Sequence, residues 1–180
     1  MNKKLLWITE TAVMLALLIA LQALTKPLSQ YVTGSVVNCL LVVTVLVAGL
    51  LSGLTVAVVS PVLAYLLGIA PNILVVPAIM AGNGVLVAVW YLIAGRNCGF
   101  SRQLTAALCA AAAKFCVMYA VVVQLFCKIL AEKLLSAGML KPPMLKILPT
   151  MFSWSQLITA LVGGVVALSI TPVLRKALHK

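Results

Sequence analysis

Apolar runs fill this chain almost from end to end, and most are long enough to cross a lipid bilayer. A hydrocarbon core of about 30 Å takes roughly 20 apolar residues of helix. Inside lipid every backbone N–H and C=O needs a partner, so a spanning segment is a helix or a strand of a closed barrel. The runs here are continuous rather than alternating, which argues against a barrel. A mean hydropathy of +1.24 leaves no room for a separate soluble domain.

Turn residues and charges divide the sequence into predicted helices at about 5–24, 36–51, 54–69, 73–94, 104–131 and 151–173. The expected fold is an all-α integral membrane protein, a single six-helix membrane domain over residues 1–180. A polar loop from Lys26 to Ser35 follows the first helix, and Ser52-Gly53 makes a tight turn. Helix three contains Pro61; helix four carries Pro77 and the Gly82-Asn83-Gly84 interruption. A longer connection, 132–149, precedes helix six. Lys3 and Lys4 before an apolar stretch look like a signal peptide. Glu10 interrupts that stretch, and no small-x-small site precedes Lys26, so the first helix is expected to stay uncleaved.

The net charge of +11 is set against only two acids, Glu10 and Glu132. The cations sit at the ends of apolar runs and are not interleaved with aromatics. They read as anchors and orientation signals in the bilayer, not as a nucleic-acid surface. Six helices put both termini on one side with Lys3, Lys4, Arg96, Arg102, Arg175, Lys176 and Lys180. The opposite side carries Lys26, Lys128, Lys133, Lys141 and Lys146. The short loop with Arg96 and Arg102 has no acid, which places both termini in the cytoplasm.

Several chemistries find no residues here. There is no GxxxxGK phosphate loop for ATP hydrolysis. His179 is the only histidine, and the five cysteines form no CxxC pair, so no catalytic residue, metal site or cofactor is expected. Neither acid lies in the middle of a helix, where a proton-coupled carrier keeps one.

Polar residues inside the apolar runs are the candidate ligand contacts. Lys114 lies about 15 Å into helix five at 1.5 Å per residue. It is either a counter-charge for an anionic ligand or a lysine snorkelling to an interface. Asn83, between two glycines, offers a hydrogen bond to a ligand or to another helix. Trp154 and Gln156 open helix six, and Tyr31 and Gln30 sit in the first outer loop. An aromatic wall with amide partners suits a small polar ligand. Asn38 and Gln124 are weaker candidates of the same kind.

Ala12, Ala16 and Ala20 recur every four residues and so stack on one helix face, extended by Thr9 and Ala23. A ridge of small side chains lets another helix backbone approach closely. The partner helix is either in this bundle or in another chain. Ala160, Gly163, Gly164 and Ala167 form a second such set, expected to pack inside the bundle.

Together these features resemble the substrate-binding S component of energy-coupling factor (ECF) vitamin importers. The stretch TETAVMLALLIALQAL matches that family's AxxxA signature at Ala12, Ala16 and Ala20, and the resemblance in size and layout covers essentially the whole chain. It implies a multi-pass protein of the bacterial plasma membrane. The alanine face would dock on a transmembrane coupling protein driven by two cytoplasmic ATPase subunits. The pocket would open outward among helices four to six and bind a water-soluble vitamin or related micronutrient. Asn83, Lys114, Trp154, Gln156 and Tyr31 are its expected lining.

The basic outer loops and Lys114 favour an anionic ligand such as pantothenate, nicotinate or lipoate, because such a field concentrates anions. Competing readings are a membrane scaffold or assembly protein, a self-standing small-solute carrier, and a membrane enzyme. The last would want a cluster of acids, histidines or a nucleophile, and none is evident.

Overall fold

The structure, a computed structural model, describes residues 3–95 and 98–177. Arg96, His179 and Lys180 lie outside the described residues. Among the described residues every regular element is a helix. In order run α1 (Lys3–Thr25), α2 (Gln30–Val47), α3 (Leu50–Leu66), a 3-10 turn (Ile73–Val75) and α4 (Val76–Ala94). Then come α5 (Phe100–Met118), a π-helical continuation (Tyr119–Ile129), α6 (Ala131–Ser136), α7 (Met144–Met151) and α8 (Trp154–Ala177). Among the described residues five helical segments are long and apolar enough to cross a membrane: Lys3–Thr25, Gln30–Val47, Ile73–Ala94, Phe100–Ile129 and Met144–Ala177. This is the make-up of a multi-pass membrane protein. The expected third span, α3, is apolar but has 17 residues. At 1.5 Å per residue it covers about 25 Å, less than a hydrocarbon core.

Two boundaries differ from the sequence expectation. α2 begins at Gln30, so most of the polar loop is helix. Ser29 caps it: its side chain accepts from Val32 N–H at 3.2 Å. Thr33, one turn in, donates to the Thr25 carbonyl at 2.9 Å and ties α2 to the end of α1. The turn between α2 and α3 falls at Ala48-Gly49, not at Ser52-Gly53. Gly49 has φ 95°, a conformation that favours glycine. Ser52 and Gly53 are buried inside α3 instead.

α2 is the central element. Residues 38–47 are buried without a break, and α2 lies along α8. Gly163 makes that approach possible, because a β-carbon there would lie 2.5 Å from the Ser35 carbonyl oxygen and 2.7 Å from Cys39 N. The small residues of α8 thus serve packing within the bundle. α4 lies along α5 in the same way, with α3 against α4. Gly82-Asn83-Gly84 does not interrupt α4, which runs unbroken from Val76 to Ala94, and Pro77 stands in its first turn, where a missing N–H costs nothing. Arg175 Nη2 donates to the Leu46 carbonyl at 2.8 Å and closes the C-terminus of α2.

α1 is the outlier. It packs on α2 and α3, with Thr11 and Ser52 hydrogen-bonded hydroxyl to hydroxyl at 2.8 Å, yet only Thr11 and Leu18 of its residues are buried. Thr9, Ala12, Ala16, Ala20 and Ala23 are all exposed. Among the described residues, no helix covers the alanine ridge.

The connection before α8 is not a loose loop. α6 and α7 pack on the π-helical segment and the 3-10 turn through Val75, Met118, Val122, Leu134, Leu148 and Phe152. Asn72 pins it, since its Nδ2 donates to the Met139 carbonyl at 3.1 Å.

Candidate ligand-binding cavity

Three helices meet at Lys114. α5 carries the lysine, α4 carries Asn83 and α2 carries Asn38. The ammonium donates to Asn38 Oδ1 at 2.6 Å and to Asn83 Oδ1 at 2.7 Å. All three are buried, with Lys114 only 3% exposed. Asn38 in turn donates from Nδ2 to Thr159 Oγ1 on α8 at 3.3 Å. The lysine does not snorkel out of the bundle. It ends in a polar cluster about 12 Å along α2 from Gln30, at 1.5 Å per residue.

Local sequence explains the convergence. Ala106, Ala107, Ala110 and Ala111 bury the face of α5 with little bulk, so α4 and α8 come close. Gly82 does the same on α4. The lysine stem then reaches inward rather than along the surface.

Above this cluster lies a cavity of about 140 Å³, lined by residues that include Lys114, Asn38, Asn83, Ser60, Gln22 and Gln156. Val37, Pro61, Ala64, Ile79, Met151 and Phe152 supply apolar walls. Its rim is formed by the α1–α2 connection, the α3–α4 connection and the α7–α8 junction. That end of the bundle is opposite both Lys3 and Ala177. At the rim, Lys26 Nζ donates to the Gly68 carbonyl at 2.5 Å and joins the first two of these connections.

Electrostatically the cavity is one-sided. Its lining holds two cations, Lys26 and Lys114, and neither of the chain's acids. The partners of Lys114 are neutral amide oxygens. A buried cation so held lacks a counter-charge, which a bound anion would supply. No group of His, Cys, Asp or Glu among the described residues could hold a metal ion.

Of the sequence candidates, Asn83, Lys114 and Gln156 come together at the cavity, as do Gln30 and Asn38. Trp154 and Tyr31 do not line it. Trp154 is 67% exposed and packs outside the bundle against Phe115, with tilted rings and centroids 5.3 Å apart. Tyr31 is 52% exposed. Gln124 lies on the π-helical segment, away from the lining. Ser60, Thr33 and Gln22 line the cavity and were missed by sequence reasoning. Each is a small or neutral polar residue, Gln22 and Thr33 near a helix end and Ser60 inside α3, with no signal beyond its helix phase. Compared with protein-family models, curated proteins and solved structures, the chain matches none.

Proposed function

We propose that the chain is the substrate-binding S component of an ECF-type importer in the bacterial plasma membrane, taking up a small anionic vitamin or related micronutrient. The observation that carries this reading is the buried Lys114 at the floor of a cavity without a carboxylate. Such a site holds an anion. A scaffold has no use for it, and the cavity offers no nucleophile paired with a base for an enzyme.

The exposed ridge Ala12, Ala16, Ala20 supports a second part of the reading. A helix this apolar, covered by its own chain on only one side, suits close contact with a coupling protein. With the termini in the cytoplasm, the rim of the cavity faces outward and ligand enters from outside. Two ATPase subunits on the cytoplasmic side would then drive release through the coupling protein. A tightly held ligand leaves slowly unaided, since affinity differences lie mostly in off-rates.

Two measurements test the proposal. Mass spectrometry of the chain purified in detergent should find a small anionic compound that Lys114→Met no longer retains. Ala16→Trp should abolish co-purification with the coupling protein and ATPases while ligand retention persists. Unchanged assembly and uptake by Ala16→Trp would refute the docking face. A cationic or neutral co-purified ligand would refute the anion assignment.

A further inference from the structure

The hydrogen bonds around the cavity fix which way its amides point. A lysine ammonium only donates, so Asn38 and Asn83 must turn their Oδ1 atoms toward it. Asn38 spends Nδ2 on Thr159, whereas Asn83 Nδ2 has no partner among the described residues. Lys114 has three N–H donors and uses two. The unspent N–H groups of this pair are one on Lys114 and those of Asn83 Nδ2. Gln156 is set the other way. Its Nε2 donates to the Met151 carbonyl at 3.0 Å, which leaves Oε1 as a free acceptor.

Gln156 stands one turn before Thr159 on α8, and Thr159 accepts from Asn38. Three residues rise about 4.5 Å. The lining thus carries a donor pole at Lys114 and Asn83, and an acceptor pole roughly one turn nearer the rim. Between them stand apolar walls that include Val37, Ile79 and Phe152. The space is about 140 Å³. An apolar cavity of about 150 Å³ holds one benzene ring, and pockets for larger ligands run from about 300 Å³ upward.

We propose that this cavity selects a compact monocarboxylate of about one ring in size. Its carboxylate accepts from Lys114 Nζ and Asn83 Nδ2, and a hydroxyl or N–H at its other end donates to Gln156 Oε1. The inference rests on reading the cavity as an anion site, and it does not depend on the coupling partner. It narrows that reading, since a cavity of this size does not enclose a long anion such as lipoate, and monocarboxylates without a distal donor lose one contact.

The probe is 4-hydroxybenzoate, titrated calorimetrically into the full chain in detergent, beside benzoate, 4-hydroxybenzamide and lipoate. The hydroxybenzoate should bind most tightly. The benzamide, which keeps the shape and loses the charge, should bind at least about tenfold more weakly. Benzoate should be several-fold weaker, and Gln156→Leu should erase its difference from hydroxybenzoate. Lipoate should be the weakest anion. Tighter binding of lipoate overturns the size selection and leaves the anion reading standing. Equal binding of the benzamide overturns the carboxylate anchor and the anion reading with it. A hydroxybenzoate preference that persists in Gln156→Leu overturns the acceptor pole alone. Failure of every probe to bind at millimolar concentration overturns the proposal, while co-purification with a coupling protein would still stand as a separate result.

Discussion

The β-carbon that Gly82 lacks would lie 2.5 Å from the Met118 sulfur. Asn83 follows Gly82 on α4, and Lys114 stands one turn before Met118 on α5. The close approach that Gly82 permits is therefore also what sets the 2.7 Å bond from Lys114 to Asn83. Packing and polar chemistry share one seam.

The two close-approach glycines should respond differently to alanine. At Gly82 the obstacle is the end of a flexible methionine, which can swing aside. At Gly163 it is the backbone of α2, at Ser35 O and Cys39 N, which cannot. Gly82→Ala should cost no more than about 1 kcal/mol, and Gly163→Ala about 2 kcal/mol or more, within the range for overpacking. Thermal unfolding in detergent checks the order. Equal losses would mean that α2 and α8 yield as easily as a side chain.

Periodicity made part of this legible. Hydropathy located the spans α1, α4, α5 and α8, because long apolar runs end at charges or at proline. It could not place the α2–α3 turn, since residues 36–67 are almost unbroken in hydropathy and offer two glycines. Gly49 takes the turn because Gly53 is needed inside α3, where a β-carbon would lie 2.8 Å from Val87 Cγ1 and 3.1 Å from Val45 Cβ. Only the packed structure distinguishes them. The place of Trp154 outside the lining was also legible. Trp154, Ile158, Val162 and Val165 repeat on the exposed side of α8, while Gln156, Thr159 and Gly163 share the buried side. Spacing of three and four residues already separates the two sets. Asn38 was visible as a polar residue in an apolar run. Its bond to Lys114 was not, because nothing in one sequence says that α2 and α5 meet.

Trp90 is fully buried, and its Nε1–H has no hydrogen-bond partner among the described residues. Its ring packs against Gly164, where a β-carbon would come within 3.1 Å. Trp90→Phe removes area but also removes an unsatisfied donor, and such a donor costs about 1–3 kcal/mol. The two effects oppose, so the variant should unfold within about 1 kcal/mol of the parent. Trp90→Ala, with a large cavity and no compensation, should lose about 3–5 kcal/mol. A loss for Trp90→Phe as large as that for alanine would show that the indole N–H has a partner.

Lys26 bridges the rim by donating to the Gly68 carbonyl. The lysine is exposed, so the bond adds at most about 1 kcal/mol to stability. Its effect should be kinetic. Lys26→Met unties the α1–α2 connection from the α3–α4 connection, and bound ligand should leave several-fold faster with little change in melting temperature. Stopped-flow dissociation of a fluorescent or displaced ligand reads this directly. An unchanged off-rate would mean that the rim opens elsewhere.

Asn38→Asp tests the charge of the cavity without changing its shape. The substitution puts a carboxylate oxygen where Oδ1 now accepts from Lys114 at 2.6 Å. Thr159 can reverse its bond, because a hydroxyl donates as readily as it accepts. The buried ammonium then has an ion partner inside the protein and no need of one from a ligand. Hydrogen bonds to charged groups contribute about 1.5–3 kcal/mol, so the ligand-free protein should melt at the same or a higher temperature. Anion binding should fall at least about tenfold, because the site is now neutral and a second carboxylate meets the first. Calorimetry with the same anions, beside melting of the ligand-free chain, separates the two effects. Retained anion affinity in a well-folded Asn38→Asp variant would show that Lys114 holds the bundle together and does not hold the ligand.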